Sequence, residues 1–87
     1  MKYITLREIT PEEIKNNFEK YYYNHQQFFI KIKNDKDLNI AYLYCIEEWD
    51  EKLEDVIYIY GLENEYDDTS YLIDKNENIE HIYILNK

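Results

Sequence analysis

Glycine, proline, cysteine, tryptophan and serine each occur once in the 87 residues, and bases are scarce: 10 Lys and Arg stand against 19 Asp and Glu, a formal charge of −9. Gly61 alone cannot make a glycine-rich phosphate loop. Cys45 alone excludes an internal disulfide, and no Cys or His spacing suits zinc. A hydrolytic triad would have to rest on Ser70 with His25 or His81, and nothing in the sequence ties them together. The stretches starting at Asp35 and Asp74 begin like calcium loops. Both lack the turn glycine and the closing glutamate, so no metal or cofactor is expected. No run approaches the ~18 apolar residues of a membrane span, and Met1 to Glu8 lacks a signal peptide's apolar stretch, so a location in the cytoplasm where the chain is made is expected. The shortage of positive charge turns the chain away from direct contact with nucleic acid or an anionic membrane.

What is present is an ample supply of core-forming residues. Apolar residues make up 45% of the chain and 11 residues are tyrosine, too many for a disordered acidic tail. The length suits one domain over residues 1–87. Thr10-Pro11-Glu12-Glu13 reads as a capping box with proline at the first helical position, and Ile9 with Ile14 as a hydrophobic staple. Ile14, Phe18, Tyr21 and Tyr22 continue one apolar stripe, which predicts an amphipathic helix over about 11–24. From Phe28 the period falls to two, giving a strand to about Lys33, a polar turn at Asn34–Asp37 and a second strand over Leu38–Ile46. Cys45 reads there as a buried small hydrophobe.

The acidic stretch Glu47–Asp55 interrupts this pattern and reads as a loop or a single exposed helical turn. Val56-Ile57-Tyr58-Ile59-Tyr60 is the most strand-like run, with Gly61 marking its bend or end. Tyr3–Arg7 is a short first strand, and the runs ending at Ile73 and starting at Ile79 flank an expected hairpin loop, Asp74–Asn78. The expected fold is α+β, one N-terminal amphipathic helix packed on an antiparallel sheet of four or five strands.

Charge is unevenly placed. Residues 47–68 carry Glu47, Glu48, Asp50, Glu51, Glu54, Asp55, Glu63, Glu65, Asp67 and Asp68 against Lys52 alone, so this window holds the whole imbalance. Such a run can be a solvated loop that keeps the chain soluble. Equally, its self-repulsion opposes a compact fold, which points to use by a cationic partner. On an extended segment Glu63, Glu65 and Asp67 would share a face at roughly 6.6 Å, about two axial steps of a phosphate strand. Trp49 and Tyr66 lie in the same window as candidate aromatic anchors, with a core position as the other reading. Lys31, Lys33 and Lys36 beside Phe28 and Phe29 are too few for a nucleic-acid platform.

In its length, its concentrated negative charge, its α+β pattern and its abundance of Asn, Lys, Ile and Tyr, the chain resembles the small acidic inhibitors of phages and other mobile elements, including anti-CRISPR and DNA-mimic proteins. That resemblance implies a stoichiometric, non-enzymatic inhibitor whose partner is a basic nucleic-acid-binding protein, with an RNA-guided CRISPR nuclease first among candidates. An immunity protein or antitoxin facing a basic toxin would share these electrostatics. The tyrosines also allow a small oligomer with a ligand pocket, so a monomer or a small homo-oligomer is expected.

Overall fold

The computed structural model describes residues 5–73 and 77–86. Its strands are β1 (Thr5–Glu8), β2 (Phe28–Ile32), β3 (Leu38–Asp50), β4 (Asp55–Asn64), β5 (Ser70–Leu72) and β6 (Ile79–Asn86), with helices α1 (Pro11–Asn16) and α2 (Phe18–Tyr23) between β1 and β2. Among the described residues the fold is α+β, an open six-stranded sheet in the order β1-β6-β2-β3-β4-β5 with every neighbour antiparallel.

The helical segment begins as its sequence dictates. Thr10 caps it, its hydroxyl accepting the Glu13 N–H at 3.1 Å, and Pro11 takes the first turn, where its missing N–H costs nothing. The Glu13 carboxylate turns to Arg7 at 3.1 Å. Ile9 and Ile14 are both buried in the core. The single expected helix is broken at Asn17, whose φ of −123° and ψ of 26° leave the helical region. The Asn17 side chain donates to the Glu13 carbonyl at 3.0 Å, the local competition with the backbone that makes asparagine a weak interior helix residue. After this break Phe18 and Tyr21 still pack on the core, but Tyr22 is exposed.

The helices cover one face of the sheet. On that face Phe28 and Ile30 of β2, Ala41 and Leu43 of β3, Leu62 of β4, and Ile82 and Ile84 of β6 are buried with Ile9 and Ile14. The turn at Asn34–Asp37 joins β2 and β3 as expected, Phe28 facing Ala41 and Lys31 facing Leu38. The expected pairing of the two last runs does not occur. β5 adds to β4 at one edge, Leu62 facing Tyr71, whereas β6 inserts between β1 and β2. Ile73, buried in the core, starts the connection between them, and its N–H bonds to the Tyr60 carbonyl at 3.1 Å. Asp74–Asn76 of the expected loop, and Tyr3 and Ile4 of the expected first strand, lie outside the described residues.

Candidate functional site: an acidic hairpin arm

The largest departure from the sequence reading is at Glu47–Asp55. Instead of a loop or helical turn, β3 runs on to Asp50 and pairs residue by residue with β4: Ile46 with Ile59, Glu47 with Tyr58, Glu48 with Ile57, Trp49 with Val56, Asp50 with Asp55. The β-branched and aromatic run Val56–Tyr60 supplies the strand preference, and the acidic partner strand follows it. The reversal uses no glycine. The Asp50 carboxylate accepts the N–H groups of Lys52 and Leu53 at 2.9 and 3.1 Å, and Glu54 takes the left-handed conformation at φ 52°.

This ribbon projects beyond the sheet. β2 pairs with β3 only as far as Ala41, and β5 with β4 only as far as Gly61. The five pairs from Ile46–Ile59 outward therefore form a two-stranded arm about 13 Å long before its turn. The molecule measures 54 × 29 × 21 Å. Its root is braced by Phe18 of α2, whose ring lies 4.7 Å from that of Tyr60. Between the helices and the arm opens a cleft of about 930 Å³, walled by Phe18, Tyr22, Tyr58 and Tyr60 with Cys45 and Glu47. Cys45 is half-buried there instead of buried. Burial, and then the Glu47 carboxylate, push its thiol pKa up, away from the thiolate that a nucleophile needs.

The ten acids of the 47–68 window become two groups. Glu47, Glu48, Asp50, Glu51, Glu54 and Asp55, with Lys52 as the only base, gather on the outer arm and its turn. Glu63, Glu65, Asp67 and Asp68 lie at the other end of β4, about 30 Å away at ~3.3 Å per residue. Uncharged residues 56–62 separate them.

The expected row of Glu63, Glu65 and Asp67 does not form, because β4 ends at Asn64 and the chain turns. Glu65 bonds to the hydroxyl of Tyr42, the cross-strand partner of Glu63, at 3.3 Å. Asp67 instead folds back onto the Thr69 N–H at 2.9 Å. Hydrogen bonds from the Thr69 backbone and side chain hold the Asp67 carboxyl below its usual range. Glu48 and Asp50 do share a face of β3, two residues apart, and Asp55 stands directly across from Asp50.

Both candidate anchors are at the surface: Trp49 is 63% exposed and Tyr66 77%. Neither is a core residue. Leu53, at the turn, is 67% exposed, and sequence reasoning missed it because its stretch was assigned to a loop. Trp49 shares one face of the arm with Val56, and on the same face Glu47 stands opposite the exposed Tyr58.

No protein-family profile matches the chain, no curated protein matches its sequence, and no solved structure matches its fold. Among the described residues no group of His, Cys, Asp and Glu is placed to hold a metal ion, and no helix is long and apolar enough to cross a membrane.

Proposed function

We propose that the chain is a stoichiometric binding protein that inserts the acidic arm into the basic nucleic-acid site of a partner protein, an RNA-guided nuclease being the first candidate, and so keeps nucleic acid out. The observation that carries this reading is the exposure of Trp49 and Leu53 on a ribbon bearing six carboxylates and one lysine. A two-stranded ribbon is marginal in water, exposed apolar side chains weaken solubility, and clustered carboxylates repel one another. All three costs are offset when the ribbon inserts into a cleft with an apolar wall against the Trp49 face and a cationic wall against the opposite face, which bears Glu48, Asp50 and Asp55. There the carboxylates supply orientation and association rate, and burial of Trp49 supplies affinity.

The spacing of the charges fits such a cationic wall. Glu48 and Asp50 stand roughly 6.6 Å apart along the strand, about two axial steps of a phosphate backbone, with Asp55 one strand spacing away. Arginines that read a short duplex motif, or lysines and arginines of a heteroduplex channel, would meet carboxylates where they otherwise meet bases or phosphates.

Displacement of labelled target DNA from a guide-loaded nuclease tests this reading. The expected result is loss of bound DNA near one equivalent of the chain, weakened by added salt and abolished by joint Glu48→Lys, Asp50→Lys and Asp55→Lys substitution. Undiminished DNA binding at molar excess, or equal competition by the reversed variant, would overturn it for that nuclease.

A further inference from the structure

Beyond Ala41, where β2 leaves it, β3 keeps an open edge along the arm. The N–H and C=O of one strand residue point to the same side, and those of the next residue to the other. The Glu65 N–H bonds to the Ile40 carbonyl at 2.9 Å, which turns Ile40 and every second residue after it toward β4. The register from Ala41–Asn64 to Asp50–Asp55 runs without a shift, so this parity holds to the tip. Cys45, Glu47 and Trp49 therefore aim their N–H and C=O groups away from β4, and among the described residues no strand lies there to receive them.

Sheet edges are commonly blunted by lysine, proline or a bulge. Residues 45–50 contain no lysine, no proline and no register shift. The opposite edge of the ribbon is less open. There the Val56 N–H is taken by the Asp55 carboxylate at 2.7 Å, and the Tyr60 carbonyl by the Ile73 N–H at 3.1 Å, where β5 begins to cover β4.

We infer that an extended segment of the partner protein, with two basic residues flanking an apolar one, joins β3 as an added strand along residues 45–50. This deepens the proposed function and rests on it for the identity of the partner. In such strand addition the main-chain bonds supply affinity, and the side chains on alternate faces supply specificity.

Charge selects the occupant. Glu48 and Asp50 lie on one face of the ribbon beside Asp55, with no base among the strand residues of the arm. They call for two bases at alternate positions of the joining strand, directly across from them. Trp49 lies between them on the other face, 63% exposed, and calls for an apolar residue. On that face Glu47 shares the cleft with Lys15, Glu19 and Lys20 of the helical segment, two acids and two bases with no net charge. A second copy on this edge would bring Glu48 and Asp50 up to their own kind, a destabilising cross-strand arrangement.

A blocked nine-residue peptide of threonine and valine, with lysine at two alternate central positions, is the probe. Amide hydrogen exchange of the full chain, read by NMR as the peptide is added, tests the inference. Saturable binding is expected, about tenfold weaker when both lysines of the peptide are replaced by glutamine. At ten times the Kd the amides of Cys45, Glu47 and Trp49 should exchange about tenfold more slowly, while Tyr58 on the opposite edge keeps its rate. Contact by charge alone would not slow those three amides. Glu47→Pro removes the central outward N–H and no bond to β4, so it should abolish peptide binding while the Ile57 and Ile59 amides stay protected. Glu47→Gln should retain it. No saturable binding, binding that leaves Cys45, Glu47 and Trp49 at their free rates, or protection at Tyr58 in their place would overturn the inference. The measurement uses no nuclease, so the added strand can fail while DNA displacement succeeds, and the reverse.

Discussion

The ring of Tyr44 lies across Gly61, its partner on the neighbouring strand, so closely that a Cβ at position 61 would fall 2.2 Å from Tyr44 Cζ. Gly61 does not have a positive φ, so it is the approach of the ring and not a special backbone conformation that requires glycine. The predicted consequence is a coupling. Gly61→Ala drives the ring off its seat and destabilises the fold by about 1–3 kcal/mol, the usual cost of overpacking. With Tyr44→Ala already in place, the same change is neutral or stabilising, since alanine suits a strand better than glycine. Urea unfolding of the four proteins in this cycle measures the coupling. Equal costs in both backgrounds would show that the ring and the glycine are independent.

Asn64 is the buried polar residue at the end of β4, 3% exposed. Its amide donates to Asn39 at 3.2 Å and its side-chain oxygen accepts the Tyr66 N–H at 2.8 Å, tying the turn after β4 to the start of β3. Asn64→Ala removes both bonds and leaves their partners unpaired, which predicts a loss of about 1–3 kcal/mol in chemical denaturation. Hydrogen exchange should speed up at Tyr66 and Thr69 before it does in β2.

Asp35 and Asp67 predict a pH dependence. The Asn39 side chain, followed by the Asp37 N–H, holds the Asp35 carboxyl below the usual range, and Thr69 does the same for Asp67. With folded pKa values depressed, the unfolded chain binds more protons, so this contribution to stability is complete above the unfolded aspartate value of ~3.9 and is lost as pH falls through the folded values. Carbon-detected NMR titration should find both carboxyls titrating below ~3.9, and Asn39→Ala should move Asp35 back toward that value. A normal titration of Asp35 in the wild type would contradict the hydrogen-bonding account.

How much of this was legible depended on whether the signal was local. Thr10 and Pro11 announce a helix start through contacts within four residues, and the structure has it. The turn at Asn34–Asp37 was equally readable, Asn34 at φ 68° and the Asp35 carboxylate on the Asp37 N–H. The arm was hidden because Glu47 to Asp50 show no strand preference of their own. Their conformation is imposed by Val56 to Ile59 across the ladder, and the turn between them lacks the Asn-Gly or Asp-Gly signature of a tight hairpin. The insertion of β6 between β1 and β2 is likewise a long-range choice that two apolar runs flanking a polar loop do not reveal. The acidic window was read correctly as a concentration of charge, but its division into two ends follows from β4 running straight through its middle.

The central claim is that the outer arm, and not the acidity of the chain as a whole, selects the partner. The most direct measurement is quantitative capture from a nuclease-treated bacterial lysate on three immobilised baits, the first two being the wild-type chain and the Glu48→Lys, Asp50→Lys, Asp55→Lys variant. A third bait, with Glu63, Glu65 and Asp67 changed to Lys, carries the same charge difference at the other end of β4. The account predicts a basic nucleic-acid-binding protein retained by the wild type and by the third bait and lost from the arm variant. Loss from both variants alike, or retention by both, would contradict it.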